Sequence, residues 1–214
     1  MKPDQTKRVL LLAAIFAAPL VVFGQGRVNF NNRVIGAVVA PIYGINPDMP
    51  MVTLRGNANT NGGTVDYTGW PLLSGTGWSA ALWAGLSGSD SLLEVATTTF
   101  RTAANGAGFV QPLSNVSVPA FFDNNSPVDF QVRVWDNRNG TITSWAAALA
   151  VPGLPSSYSD IFTINLQILP SIPQDLVGLT SFNITAIVPE PSIIAFIVIA
   201  IVLHLIARVQ RSKV

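Results

Sequence analysis

Val128-Asp129-Phe130-Gln131-Val132-Arg133-Val134-Trp135 decides the fold of this 214-residue chain. Val128, Phe130, Val132 and Val134 alternate with Asp129, Gln131, Arg133 and Trp135. A period of two puts the first set on one face of a strand and the second on the other. The apolar set predicts a central or inner strand with its Val/Phe face in a core. Working outward, Phe162, Ile164, Leu166 and Ile168 alternate with Thr163, Asn165 and Gln167, and Phe182, Ile184 and Ala186 with Ser181, Asn183 and Thr185. Fainter strand patterns run over Arg27–Phe30, Val34–Val39, Trp78–Trp83, Leu93–Phe100 and Asn115–Val118. Turn-forming clusters separate them: 57–63, Ser74–Gly77, Gly85–Ser91, Asn105–Gly108 and Asn137–Gly140. Only Ser144–Val151, with its run of Ala, reads as a short helix. Many short strands between Gly/Asn turns predict an all-β domain, an antiparallel β-sandwich or jelly-roll-like fold.

Two terminal stretches do not fit such a domain. Lys2, Lys7 and Arg8 precede an apolar run from Val9 to Phe23, followed by Gly24 and Gln25. A basic start, an apolar centre and a small residue at its end are the parts of a secretory signal peptide. Val22 and Gly24 fit the positions just before a cleavage site, which places cleavage between Gly24 and Gln25. At the other end Pro189-Glu190-Pro191-Ser192 leads into a run in which His204 is the one strongly polar side chain up to Ala207. A helix over 192–207 covers about 24 Å, the short end of a membrane span. Arg208, Arg211 and Lys213 follow as stop cations; positive flanks stay on the cytoplasmic side, so both ends start inside and the middle is exported. The expected division is 1–24 signal peptide, 25–188 exported β domain, and 189–214 a C-terminal segment with a transmembrane helix.

Composition excludes several functions for 25–188. The region holds no Cys, no Lys and no His. Its six arginines against nine acids leave a net charge of −3, so a nucleic-acid footprint is absent. Without Cys no disulfide braces the exported domain, and stability must come from the core. Nucleophile–His catalysis and His-based zinc are excluded. No catalytic, cofactor-binding or metal-binding residue is assigned. Asp136–Gly140 has oxygen ligands that would suit calcium, but Asn139-Gly140 after a strand reads first as a hairpin turn. Trp70, Trp78, Trp83, Trp135 and Trp145 could stack on sugar rings, although core or rim packing is the commoner use. Phe121-Phe122 either presents an aromatic loop or tucks two rings under a turn.

The series Val188-Pro189-Glu190-Pro191-Ser192, an apolar helix and a basic end resembles the PEP-CTERM sorting signal of Gram-negative bacteria that export protein alongside extracellular polysaccharide. The resemblance implies that an exosortase, a membrane peptidase-transpeptidase, recognises Pro189-Glu190-Pro191 and removes the helix. Gly26–Asn32, Gly75–Trp83, Thr99–Thr102 and Phe130–Asp136 resemble a group of uncharacterised PEP-CTERM proteins common in verrucomicrobial genomes, and that likeness brings no activity with it.

The expected function is a non-catalytic cell-surface or extracellular-matrix protein. It is held in the inner membrane before processing, then delivered to the envelope, and a glycan such as exopolysaccharide is its candidate ligand. Its partners on the way are the membrane, signal peptidase and an exosortase-type enzyme. The alternative is an exported glycan hydrolase. That needs two carboxylates across a cleft, and Glu94 is the only Glu of 25–188.

Overall fold

A computed structural model describes residues 26–57, 63–89, 91–118, 126–167 and 171–185. The signal segment with Gly24 and Gln25, the Phe121-Phe122 loop, and the tail from Pro189 with Glu190, Pro191, Ser192, Arg208, Arg211 and Lys213 lie outside them. Among the described residues no helix is long and apolar enough to cross a membrane.

The protein is all-β, in several sheets that do not close into a barrel. The longest strand is the one read first from the sequence, Ser126–Asp136. In chain order the strands are β1 (Arg27–Phe30), β2 (Arg33–Val34), β3 (Val38–Val39), β4 (Ile42–Tyr43), β5 (Trp78–Leu86), β6 (Leu93–Thr99), β7 (Leu113–Ser117), β8 (Ser126–Asp136), β9 (Ser156–Tyr158), β10 (Phe162–Leu166), β11 (Gln174–Asp175) and β12 (Phe182–Asn183). One short helix, α1 (Trp145–Leu149), forms where the Ala run predicts it, and Ser144 Oγ accepts from Ala147 N at its start.

β8 is central. β5 pairs along one edge over its whole length; β10 and then β9 share the other edge, and β6 closes the far side of β5. All these pairings are antiparallel. Val128, Phe130, Val132 and Val134 are fully buried, with Ala80, Leu82 and Ala84 beside them and Ile164 and Phe162 across β10. A three-stranded sheet, β11-β1-β7, contributes Val28, Phe30 and Val116 to the same hydrophobic cluster, and Leu176, just after β11, joins them. Burying a Val or Phe side chain in such a cluster is worth about 1.5–3 kcal/mol. In a region without disulfides this cluster is the main source of stability.

Several sequence expectations are corrected. The pairing is not wholly antiparallel: β1 with β11 and β4 with β12 run parallel, because the last described segment returns to strands laid down at the start of the chain. Val34–Val39 is not one strand. Gly36 has φ +88°, and a turn over 35–37 folds the segment into the β2–β3 hairpin. Gly85 and Leu86 lie in β5 rather than in a turn. Asn139-Gly140 is a turn but not a hairpin. It leads into α1, and β9 reaches β8 only after that detour. The alternation over 181–185 fails, since Ser181 and Asn183 are as buried as Phe182 and Ile184.

Candidate functional site

The outer face of β8 is covered too, which alternation alone does not foresee. Trp135 is fully buried there and packs with Ala81, Trp145, Ala148 and Leu154. Its indole meets Trp145 edge-on at 6.1 Å, and Nε1 donates to Ile142 O at 3.0 Å. α1 therefore sits as a lid over one end of the sheet's outer face. Over the other end lies the described part of the β5–β6 connection, 87–89 and 91–92. Its position is set by Asp129, whose carboxylate accepts from Gly88 N at 2.9 Å and from Thr163 Oγ1 at 2.6 Å. Gly85 lets that connection come close: a Cβ at this position would meet Ser91 O at 2.5 Å.

Between the two walls runs an open cleft of about 440 Å³. Gln131, Arg133 and Tyr158 form its floor, Trp145 and Leu149 one side, and Ser89, Leu92 and Ile161 the other. A smaller cleft of about 250 Å³, with Thr53, Arg55 and Ser157 in its lining, continues past Tyr158 and Trp145. The floor follows directly from register. Arg133 lies opposite Ala81 on β5 and Tyr158 on β9, while Gln131 lies opposite Trp83, so Trp83, Gln131, Arg133 and Tyr158 share one face.

Arg133 is the centre of this arrangement. Its guanidinium carbon stands 3.9 Å from the Trp83 ring centroid and 5.7 Å from that of Trp145. Nε donates to Gln131 Oε1 at 2.8 Å, and Gln131 Nε2 in turn donates to Ser159 O at 3.2 Å. Burial lowers the Arg133 pKa against the opposing pull of Tyr158 and Glu94. Tyr158 is the only strongly exposed aromatic ring among the described residues, with the Arg55 guanidinium 4.4 Å from its centroid.

The tryptophans weighed as sugar platforms are mostly committed to packing. Trp70, Trp135 and Trp145 are buried, and Arg133 covers Trp83. Tyr158 takes the exposed place instead, with Arg55 over one face of its ring. No pattern in Ser156-Ser157-Tyr158 marks it; only pairing with β8 brings it to the cleft. Besides the buried Asp129, four further described carboxylates each have a partner of their own. Asp160 pairs with Arg55 and Asp136 with Arg138, Asp175 accepts from Asn29, and Glu94 accepts from Thr97. Asp136 also accepts from Arg138 N within the 136–140 turn, where Arg138 and Asn139 have φ of 50° and 55°. Among the described residues no group of three His, Cys, Asp or Glu could hold a metal ion.

Asp129 yields a pH prediction. Burial raises its pKa, but hydrogen bonds from Thr163, Gly88 and Ser87 outweigh that and leave it below the ordinary value. A depressed folded-state pKa stabilises fully above the unfolded value near pH 4, and the contribution is lost as pH falls through the folded value. Asp129→Asn should thus lower the urea midpoint at pH 7, and the gap to wild type should narrow below about pH 4. An equal gap at pH 7 and pH 3 would show that the carboxylate charge plays no part.

No family model, curated protein or solved structure matches the chain.

Proposed function

We propose that this chain is an exported, non-catalytic surface or matrix protein that binds glycan in the outer-face cleft and is sorted by its C-terminal segment. The cleft carries the binding reading. It is open, and it combines an exposed ring, Tyr158, with the polar groups of Gln131, Arg133 and Ser89. A pyranose presents an apolar ring face and a rim of hydroxyls, which suits that mixture. The sharing of one hydrophobic cluster by the five- and three-stranded sheets supports a sandwich-like body. The non-catalytic reading is supported by five of the nine carboxylates, Glu94, Asp129, Asp136, Asp160 and Asp175, each held in its own local hydrogen bond or ion pair. Export and sorting rest on the sequence at the two ends. There the Pro189-Glu190-Pro191 sequence offers one charge, Glu190, as a recognition group for a processing enzyme.

Cell fractionation with an epitope after Gln25 tests this. The wild-type protein should appear shortened in the envelope or matrix fraction, and soluble oligosaccharide should strip it from that fraction. Glu190→Ala should remain full-length in the inner membrane. Equal size and compartment for both forms would reduce the tail to a permanent anchor, and wild-type protein that no oligosaccharide displaces would sink the glycan reading.

A further inference from the structure

We infer that the cleft selects an acidic sugar, with Arg133 as the group that receives its carboxylate. The inference rests on the glycan reading of the same cleft and goes further, to the chemical class of the ligand.

Three observations carry it. Arg133 makes no ion pair with any described residue: the carboxylates that do pair with arginine meet Arg55 and Arg138. Glu94 shares that face, opposite Trp83 on β6, where Thr97 Oγ1 engages it and its charge acts on Arg133 without a contact ion pair. This is an unusual state for a half-buried arginine in a region of net charge −3, where acids outnumber arginines. A cleft cation with no contact ion pair among the described residues is a complement for an anion. Second, the guanidinium is already oriented. Trp83 and Trp145 flank it, and the Nε bond to Gln131 fixes its rotation. Nε is thereby used, and the terminal N–H groups of the fork, which bond no described residue, suit a carboxylate in the bidentate geometry that arginine favours. A pre-oriented side chain loses little rotamer freedom on binding. Third, the surroundings fit a ring better than a peptide. β8 has neighbours along both edges, so the floor of the cleft offers no free strand edge for an extended backbone to join. The lining offers side-chain groups instead, with Tyr158 and Leu149 for a ring face and Ser89 and Gln131 for hydroxyls. A volume of about 440 Å³ lies within the usual range for small-ligand sites.

The test titrates the full chain, held in a polyoxyethylene detergent that carries no sugar headgroup, with three probes. These are trigalacturonate, the carboxyl-reduced trisaccharide of the same linkage, and tetraglutamate. Trigalacturonate should bind about tenfold or more tighter than its reduced form, as expected for one charge-assisted bidentate pair. Added NaCl should weaken the acidic sugar and leave the reduced one unchanged. Arg133→Met, which keeps the apolar stem between the two indoles, should erase the preference. Tyr158→Ala should weaken both sugars alike. Equal binding of both sugars by wild type, unaltered in Arg133→Met, overturns the acidic inference and leaves the glycan reading standing. Binding of neither sugar overturns both. Binding of tetraglutamate through Arg133, without either sugar, replaces the sugar with an acidic peptide. Should Arg133→Met not fold, the comparison of acidic and reduced sugar on the wild-type chain decides alone.

Discussion

Val132→Asp should unfold the β domain or bring it to the edge of unfolding. Val132 has no exposed surface, lies at the middle of the central strand and faces Leu82 across the β5 pairing. Its side chain points into the cluster shared by both main sheets. The buried neighbours gathered there are hydrophobic side chains, which offer an aspartate no cation. An unpaired buried charge ranks among the few causes of losses above about 4 kcal/mol, against a total stability of roughly 5–15 kcal/mol for a domain. The loss should shrink at low pH, because the buried acid is less costly when protonated. A urea melt followed by circular dichroism reads the effect. Ser114→Asp, at an exposed position of edge strand β7, serves as the control and should change stability by no more than about 0.5 kcal/mol. A wild-type midpoint for Val132→Asp would show that β8 is not the core strand.

Asn183→Ala should cost nearly as much, through polar rather than apolar chemistry. Asn183 is fully buried. Its Nδ2 donates to Val52 O at 2.8 Å and to Ile184 O at 3.0 Å, and its Oδ1 accepts from Leu54 N at 2.6 Å. One side chain thus satisfies three backbone groups and clamps segment 52–54 against β12. Alanine leaves Leu54 N and Val52 O without that partner, at about 1–3 kcal/mol for each group that stays buried and unpaired. The loss should begin locally, at 52–56, so hydrogen exchange at the Leu54 amide should speed up more than exchange in β8. Unchanged exchange at Leu54 together with an unchanged urea midpoint would mean that the clamp contributes nothing. Asn32 is a second pin of this kind: it donates to Ala40 O and Gly108 O and accepts from Val110 N.

The cleft was legible only in fragments. Arg133 and Trp83 stood in strands read from the sequence, but alternation alone does not say what covers the outer face of β8. α1 was anticipated, yet its seat on Trp135 was not, because a five-residue helix has no periodicity from which to read a partner. Tyr158 and Ser89 carry no pattern at all and reach the cleft through β9 pairing and the Asp129–Gly88 hydrogen bond.

By itself the sequence determined the all-β class, the central strand and which of its faces is the core, because a two-residue period is a local property that each side chain reports independently. It also defined the chemistry that 25–188 lacks, since composition needs no folding to be read. Tertiary structure decided the rest. β1 meets β11, and β4 meets β12, across more than a hundred residues of chain, and no local pattern records a partner at that distance. The same holds for Asn183. In sequence it is the polar member of an alternating run, and in the fold it is buried, because three backbone groups from two segments converge where its amide can satisfy them all.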